Sequence, residues 1–105
     1  MTAATPGERL ARRVAETLPD LREGVSRFNP KHVAWFAGRK EIAHLHSGTS
    51  FDARVPKAEQ RGWKDDPRLV PRKSASPWME ITLATDADVE DALRLVRLAA
   101  ESAGT

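Results

Sequence analysis

Apolar positions recur along this chain in two periods. Leu10, Val14 and Leu18 repeat at i, i+4 and i+8, with Ala11 and Ala15 beside them. That is one stripe on a helix. Thr5-Pro6-Gly7-Glu8 supplies its start: a capping threonine, a proline at the first helical position, and a glutamate three after the cap. Pro19 ends it near Leu18. A second stripe, Val89, Leu93, Val96 and Ala100, is flanked by Ala92, Leu95 and Ala99. Thr85 caps this helix, with Asp88 three residues on. Asp86, Asp88, Glu90 and Asp91 crowd its first turns, where the helix dipole favours negative charge. Helix stability explains that acidity without a metal site.

Between the helices the period falls to two. Residues 32–37 place Val33, Trp35 and Ala37 on one face and Ala34 and Phe36 on the other. Gly38-Arg39 makes a hairpin turn into 41–46, where Ile42, His44 and His46 alternate with Ala43 and Leu45. A turn, S-G-T-S, leads to a strand over 51–55 with Phe51, Ala53 and Val55 on one side. Pro56 stops it and opens a short helix over 57–64, weakened by Gly62 and anchored by Trp63. Residues 65–77 hold three prolines and read as a loop. Residues 78–84 are the clearest strand: Met79, Ile81 and Leu83 alternate with Trp78, Glu80 and Thr82. In the connector over 20–31, Gly24, Asn29 and Pro30 are breakers. There Val25 and Phe28 are expected to cover a core edge, with a short strand over 26–28.

The expected fold is α+β. A small antiparallel sheet of about four strands carries the two long helices on one face, with a short helix between its third and fourth strands. Met79, Ile81, Leu83, Ala43 and Leu45 are assigned to the face beneath the helices. The other face is expected to collect Trp35, Ile42, His44, His46 and Trp78.

Composition narrows the class. A chain of 105 residues is one domain, large enough to bury a core without staples. No stretch approaches the ~20 apolar residues of a membrane span, so no membrane partner is expected. Residues 1–7 lack a signal pattern, which makes the cytoplasm the expected location. The absence of cysteine excludes disulfides, thiolate ligands and thiol nucleophiles. Net charge is +2, but residues 27–73 carry eleven basic and five acidic groups, and residues 74–105 carry two and six. The ends are expected to fold beside the basic middle and neutralise it. The alternative is that Arg39, Lys40, Arg54, Lys57 and Arg61 rim an anionic site or bind nucleic acid. No nucleic-acid recognition motif accompanies them, so nucleic acid is not the expected partner.

His44 and His46, two apart on one strand, can reach a single metal ion, and imidazole suits zinc, copper, nickel and iron. Two ligands are too few, since catalytic zinc takes three from the protein. His32 falls near His46 in the hairpin. Glu80 is a further ligand if its strand lies alongside. Glu41, by strict alternation, faces away. The expected reading is that both histidines are half-buried sheet residues with ordinary hydrogen bonds, and the metal site is the alternative. Asp52 with His44 offers acid–base chemistry, but no nucleophile stands out. Trp35 and Trp78 suit a pocket floor or a homodimer surface. No phosphate-cradling glycine loop is present, and no cofactor is expected; a divalent metal at His44 and His46 is the alternative.

The segments E-I-A-H-L-H, F-D-A-R-V-P-K, P-W-M-E-I-T-L and D-V-E-D-A-L-R-L-V-R-L-A occur in this order. Together they resemble the small bacterial luciferase-like domain proteins of unknown function. The pattern there is R-E-I-G-H-x-H, D-I-P-F-P-R, G-W-V-S-F and D-V-E-x-A-I-x-L-L-R-L. The resemblance covers residues 38–100 and includes Glu41, His44, His46, Asp52, Pro56, Lys57, Trp78, Asp88 and Val89. Pro77 stands where the family has glycine, and Glu80 where it has serine. A fainter similarity of layout links the chain to the YjbR-like proteins. The resemblance implies an α+β domain. Combined with the residues above, it points to a module that binds a small ligand or itself through Trp35, His44, His46, Asp52, Trp78 and Glu80. A flavin-dependent luciferase barrel needs about 250 residues, so light-emitting flavin chemistry is not expected; the alternative function is a metal-dependent enzyme centred on His44 and His46.

Overall fold

The computed structural model describes residues 4–27, 29–63, 66, 69–71 and 77–103. Helix α1 (Pro6–Thr17) leads into strand β1 (Arg22–Val25), then β2 (Val33–Ala37), β3 (Lys40–Ser47) and β4 (Ser50–Arg54). A short helix α2 (Lys57–Gln60) and a 3-10 turn (Arg61–Trp63) precede β5 (Leu69–Pro71), β6 (Trp78–Thr82) and the long helix α3 (Asp86–Ala103). The six strands form one antiparallel sheet in the order β1-β2-β3-β4-β6-β5. The α+β class and the pairing of two long helices with a small sheet are as expected. Two short edge strands, β1 and β5, extend the sheet beyond four.

Both long helices begin as their sequences specify. Thr5 Oγ1 accepts from the Glu8 N–H (3.1 Å), and the Glu8 carboxylate accepts from the Thr5 N–H (3.3 Å). Thr85 Oγ1 accepts from the Asp88 N–H, and Asp88 Oδ2 accepts from the N–H groups of Thr85 and Ala84. The start of α1 sits on the β3–β4 turn, where the Gly7 N–H donates to the Gly48 carbonyl at 2.7 Å. A Cβ at Gly48 would meet the Thr5 side chain at 2.9 Å, so this approach needs glycine. Gly38, at φ 63°, opens the β2–β3 turn in the left-handed region.

The core lies between the helices and one sheet face. Leu10 and Val14 of α1 and Val89, Ala92, Leu93, Val96 and Ala99 of α3 pack with Trp35, Ala43, Phe51, Ala53, Met79 and Ile81 of the sheet. Trp35 and Phe51 meet edge to face, with ring centroids 6.3 Å apart. Three side chains sit elsewhere than the sequence reading expects. Trp35 pairs with Ala43 in register and is buried in this core, not on the histidine face. Ile42 joins the same core. Val25, expected to cover a core edge, is 61% exposed on the outermost strand. The short strand expected over 26–28 forms earlier, as β1. Phe28 and most of residues 65–77 lie outside the described residues. Among the described residues, no helix is long and apolar enough to cross a membrane.

Candidate metal centre

The sheet face away from the helices carries the candidate chemistry, and two irregularities in β3 arrange it. Trp35 pairs with Ala43 while Phe36 pairs with Glu41, so Ile42 is an extra residue in β3. A β-bulge of this kind opposes two residues to one and breaks the period of two. Ile42 and Ala43 both reach the core, and Glu41 and His44 arrive on the same opposite face although three positions apart. A second shift lies between Leu45 and Ser47. Counted regularly from the Ser47–Ser50 pair, Asp52 would oppose Leu45. With His46 as the extra residue, Asp52 opposes His44 instead.

The result is a compact polar cluster. His44 Nε2 lies 3.1 Å from Asp52 Oδ2, and His46 Nε2 lies 2.6 Å from the same oxygen. One ligand atom from each of His44, His46 and Asp52 falls within 4.8 Å of the others. On the far side of the ring, His44 Nδ1 lies 3.0 Å from Glu41 Oε2. Ser26 Oγ donates to that oxygen at 2.7 Å, and the Arg27 N–H donates to Glu41 Oε1 at 2.6 Å. Asp52 is 1% exposed, His44 4% and Glu41 6%, while the His46 side chain is 29% exposed. The cluster is thus buried at its base and reaches solvent through His46.

Two further rings border it. The Trp78 ring lies 5.0 Å from the His44 ring. The His32 ring, just before β2, lies 5.1 Å from His46 and 6.3 Å from His44. Glu80 is on the same face, opposite Asp52 in the β4–β6 register. It lies one strand further out, and the grouped ligand atoms do not include it. Of the residues expected to form the site, His44, His46, Asp52 and Trp78 come together, Glu80 flanks them, and Trp35 is on the other side of the sheet. Asp52 as a third ligand and Glu41 as the neighbour of His44 were not legible, because both depend on where β3 bulges.

This donor set suits a metal. A neutral imidazole carries one N–H, yet the two nitrogens of His44 face two carboxylates. The hydrogen bond is the one from Nε2 to Asp52, while the approach of Nδ1 to Glu41 at 3.0 Å is not one. Ligand atoms ~2.0–2.2 Å from one ion stand roughly 2.8–3.6 Å apart at octahedral to tetrahedral angles. The 3.1 Å separation falls in that range. The 2.6 Å separation would open by a few tenths of an ångström, which the half-exposed His46 accommodates.

The fold and site define a small α+β domain bearing a two-histidine, one-carboxylate cluster on its non-helical sheet face. The family model of the Luciferase domain matches residues 39–99, more than half the chain, and the chain belongs to that family. The match spans Glu41, His44, His46, Asp52 and Trp78, whereas Ser26 and His32 precede it. Comparison with curated proteins and with solved structures finds no match in either.

Proposed function

We propose that the domain binds one divalent transition-metal ion through His44 Nε2, His46 Nε2 and Asp52 Oδ2, and holds a small ligand at the positions the protein leaves open. The observation that supports this most is the convergence of two imidazole nitrogens on one buried carboxylate oxygen, at 3.1 and 2.6 Å. Three protein ligands with open positions is the pattern of catalytic sites, where structural sites are closed by four. Two histidines with one carboxylate also suit iron. Trp78 beside His44 gives the bound ligand an apolar wall. The small-ligand role expected from the sequence is thereby contained in the metal-site reading, without Trp35, which is buried in the core.

The test is metal analysis of untagged protein, followed by melting with and without added zinc or cobalt. The expected result is about one metal ion per chain. At a free metal concentration 100 times Kd, binding to the folded state adds about 2.7 kcal/mol. For a domain of this size that raises Tm by about 10–20 °C. The rise is expected to vanish in His44→Ala. Metal-free protein that melts at the same temperature with and without zinc and cobalt contradicts the proposal.

A further inference from the structure

We infer that His32 is a fourth ligand of the ion, so that three imidazoles and one carboxylate surround it; the inference rests on the metal-site reading above. His32 stands just before β2. Side chains alternate along a strand, so it shares a face with Ala34, the residue that pairs with His44. Its backbone is fixed on both sides: the His32 N–H donates to the Asn29 carbonyl at 3.0 Å, and the His32 carbonyl accepts from the Ser26 N–H at 2.8 Å. The side chain is half-buried. Among the described residues, no hydrogen bond or ion pair holds its ring, and the rings it meets are those of His44 and His46.

Ring spacing carries the argument. An imidazole bound at ~2.0–2.1 Å puts its ring centre roughly 3.2 Å from the ion, and two such rings stand roughly 4.5–5.3 Å apart at octahedral to tetrahedral angles. The His44 and His46 centroids are 4.9 Å apart, and those of His32 and His46 5.1 Å. Both pairs already have the spacing of rings on one ion. The His32–His44 separation is 6.3 Å, about 1 Å beyond that range, and the atoms grouped around a common centre stop at His44, His46 and Asp52. Rotation of the His32 side chain closes the difference, and it breaks no hydrogen bond to a described residue. The fourth ligand also narrows the metal. Zinc held by four protein ligands is closed, so the small ligand needs an ion of higher coordination number, and iron fits this imidazole-rich set. His32 precedes the span of the family model, so this ligand comes from outside the matched segment.

Nitrogen-15 spectra of the wild type, recorded with and without zinc, test this directly. The chain has three histidines, and all three rings are expected to shift to the ligated position on adding zinc. This readout does not depend on whether any variant folds. Cobalt titration of His32→Ala, read by the visible spectrum of the bound ion, supplies the second measurement. Removing a residue that only orients a ligand costs about 10–100-fold in affinity, and losing a ligand itself is expected to cost at least about tenfold. A zinc-loaded wild type in which His44 and His46 are ligated and the His32 ring is unshifted overturns the role of His32 and leaves the metal site standing. So does a folded His32→Ala that binds cobalt as tightly as wild type. A wild type that binds neither zinc nor cobalt overturns the site itself, and this role with it.

Discussion

At the scale of single residues, exposure separates the members of the cluster. His46 reaches solvent, and its side chain is 29% exposed. His46→Ala leaves little buried vacancy, so unfolding in urea is expected to show a loss within about 1 kcal/mol. Metal affinity is expected to fall by at least 100-fold, because one of three ligands is gone. Asp52 is different: it is 1% exposed and faces both rings. Asp52→Ala is expected to abolish metal binding and also to cost about 1–3 kcal/mol, since buried donors lose their acceptor. The histidine pair stands out in the sequence by residue type and spacing, and Asp52 only as an acid–base partner of His44, not as a third ligand. Glu41 does not stand out, because alternation puts positions 41 and 44 on opposite faces. A one-residue bulge reverses that conclusion, and no residue type between 40 and 47 marks where it falls.

At the scale of elements, local signals carried most of the information. Both capping boxes, the Gly38 turn and the two helical stripes form where the sequence puts them, because each rests on contacts within a few residues. Which way Trp35 points is a question of register between strands, and register is set by bulges and by the core. The docking of α1 on the β3–β4 turn is likewise a tertiary matter. Gly48→Ala brings a Cβ to within 2.9 Å of Thr5, the cap of α1. Relieving that overlap is expected to cost about 1–3 kcal/mol, read as a lower urea midpoint with an unchanged slope.

The two helices are also clamped at their surfaces. Arg13 donates to both carboxylate oxygens of Glu90, at 2.9 and 3.0 Å. These hydrogen bonds hold the Glu90 carboxyl below its ordinary range. A carboxyl depressed in the folded state stabilises above its unfolded pKa, about 4.3, and loses that contribution as pH falls through the folded value. The Tm difference between wild type and Glu90→Gln is therefore expected to be small at neutral pH, where solvent screens the pair, and to close in acid.

At the scale of the molecule, the sheet divides stability from chemistry. One face carries Trp35, Ala43, Phe51, Ala53, Met79 and Ile81 beneath the helices. The other carries Glu41, His44, Asp52 and Trp78, bordered by His32 and His46. Phe51→Ala on the first face is expected to cost about 3–5 kcal/mol, a large part of the 5–15 kcal/mol typical of a domain. Cobalt affinity, measured under conditions where this variant remains folded, is expected to stay near wild type.

The central claim is that His44, His46 and Asp52 surround one ion. Anomalous diffraction at the zinc edge from crystals of zinc-loaded protein tests it most directly. A single strong peak is expected about 2.0–2.2 Å from His44 Nε2, His46 Nε2 and Asp52 Oδ2. A peak held by other side chains, or crystals grown in excess zinc with no peak among these three atoms, contradicts the account.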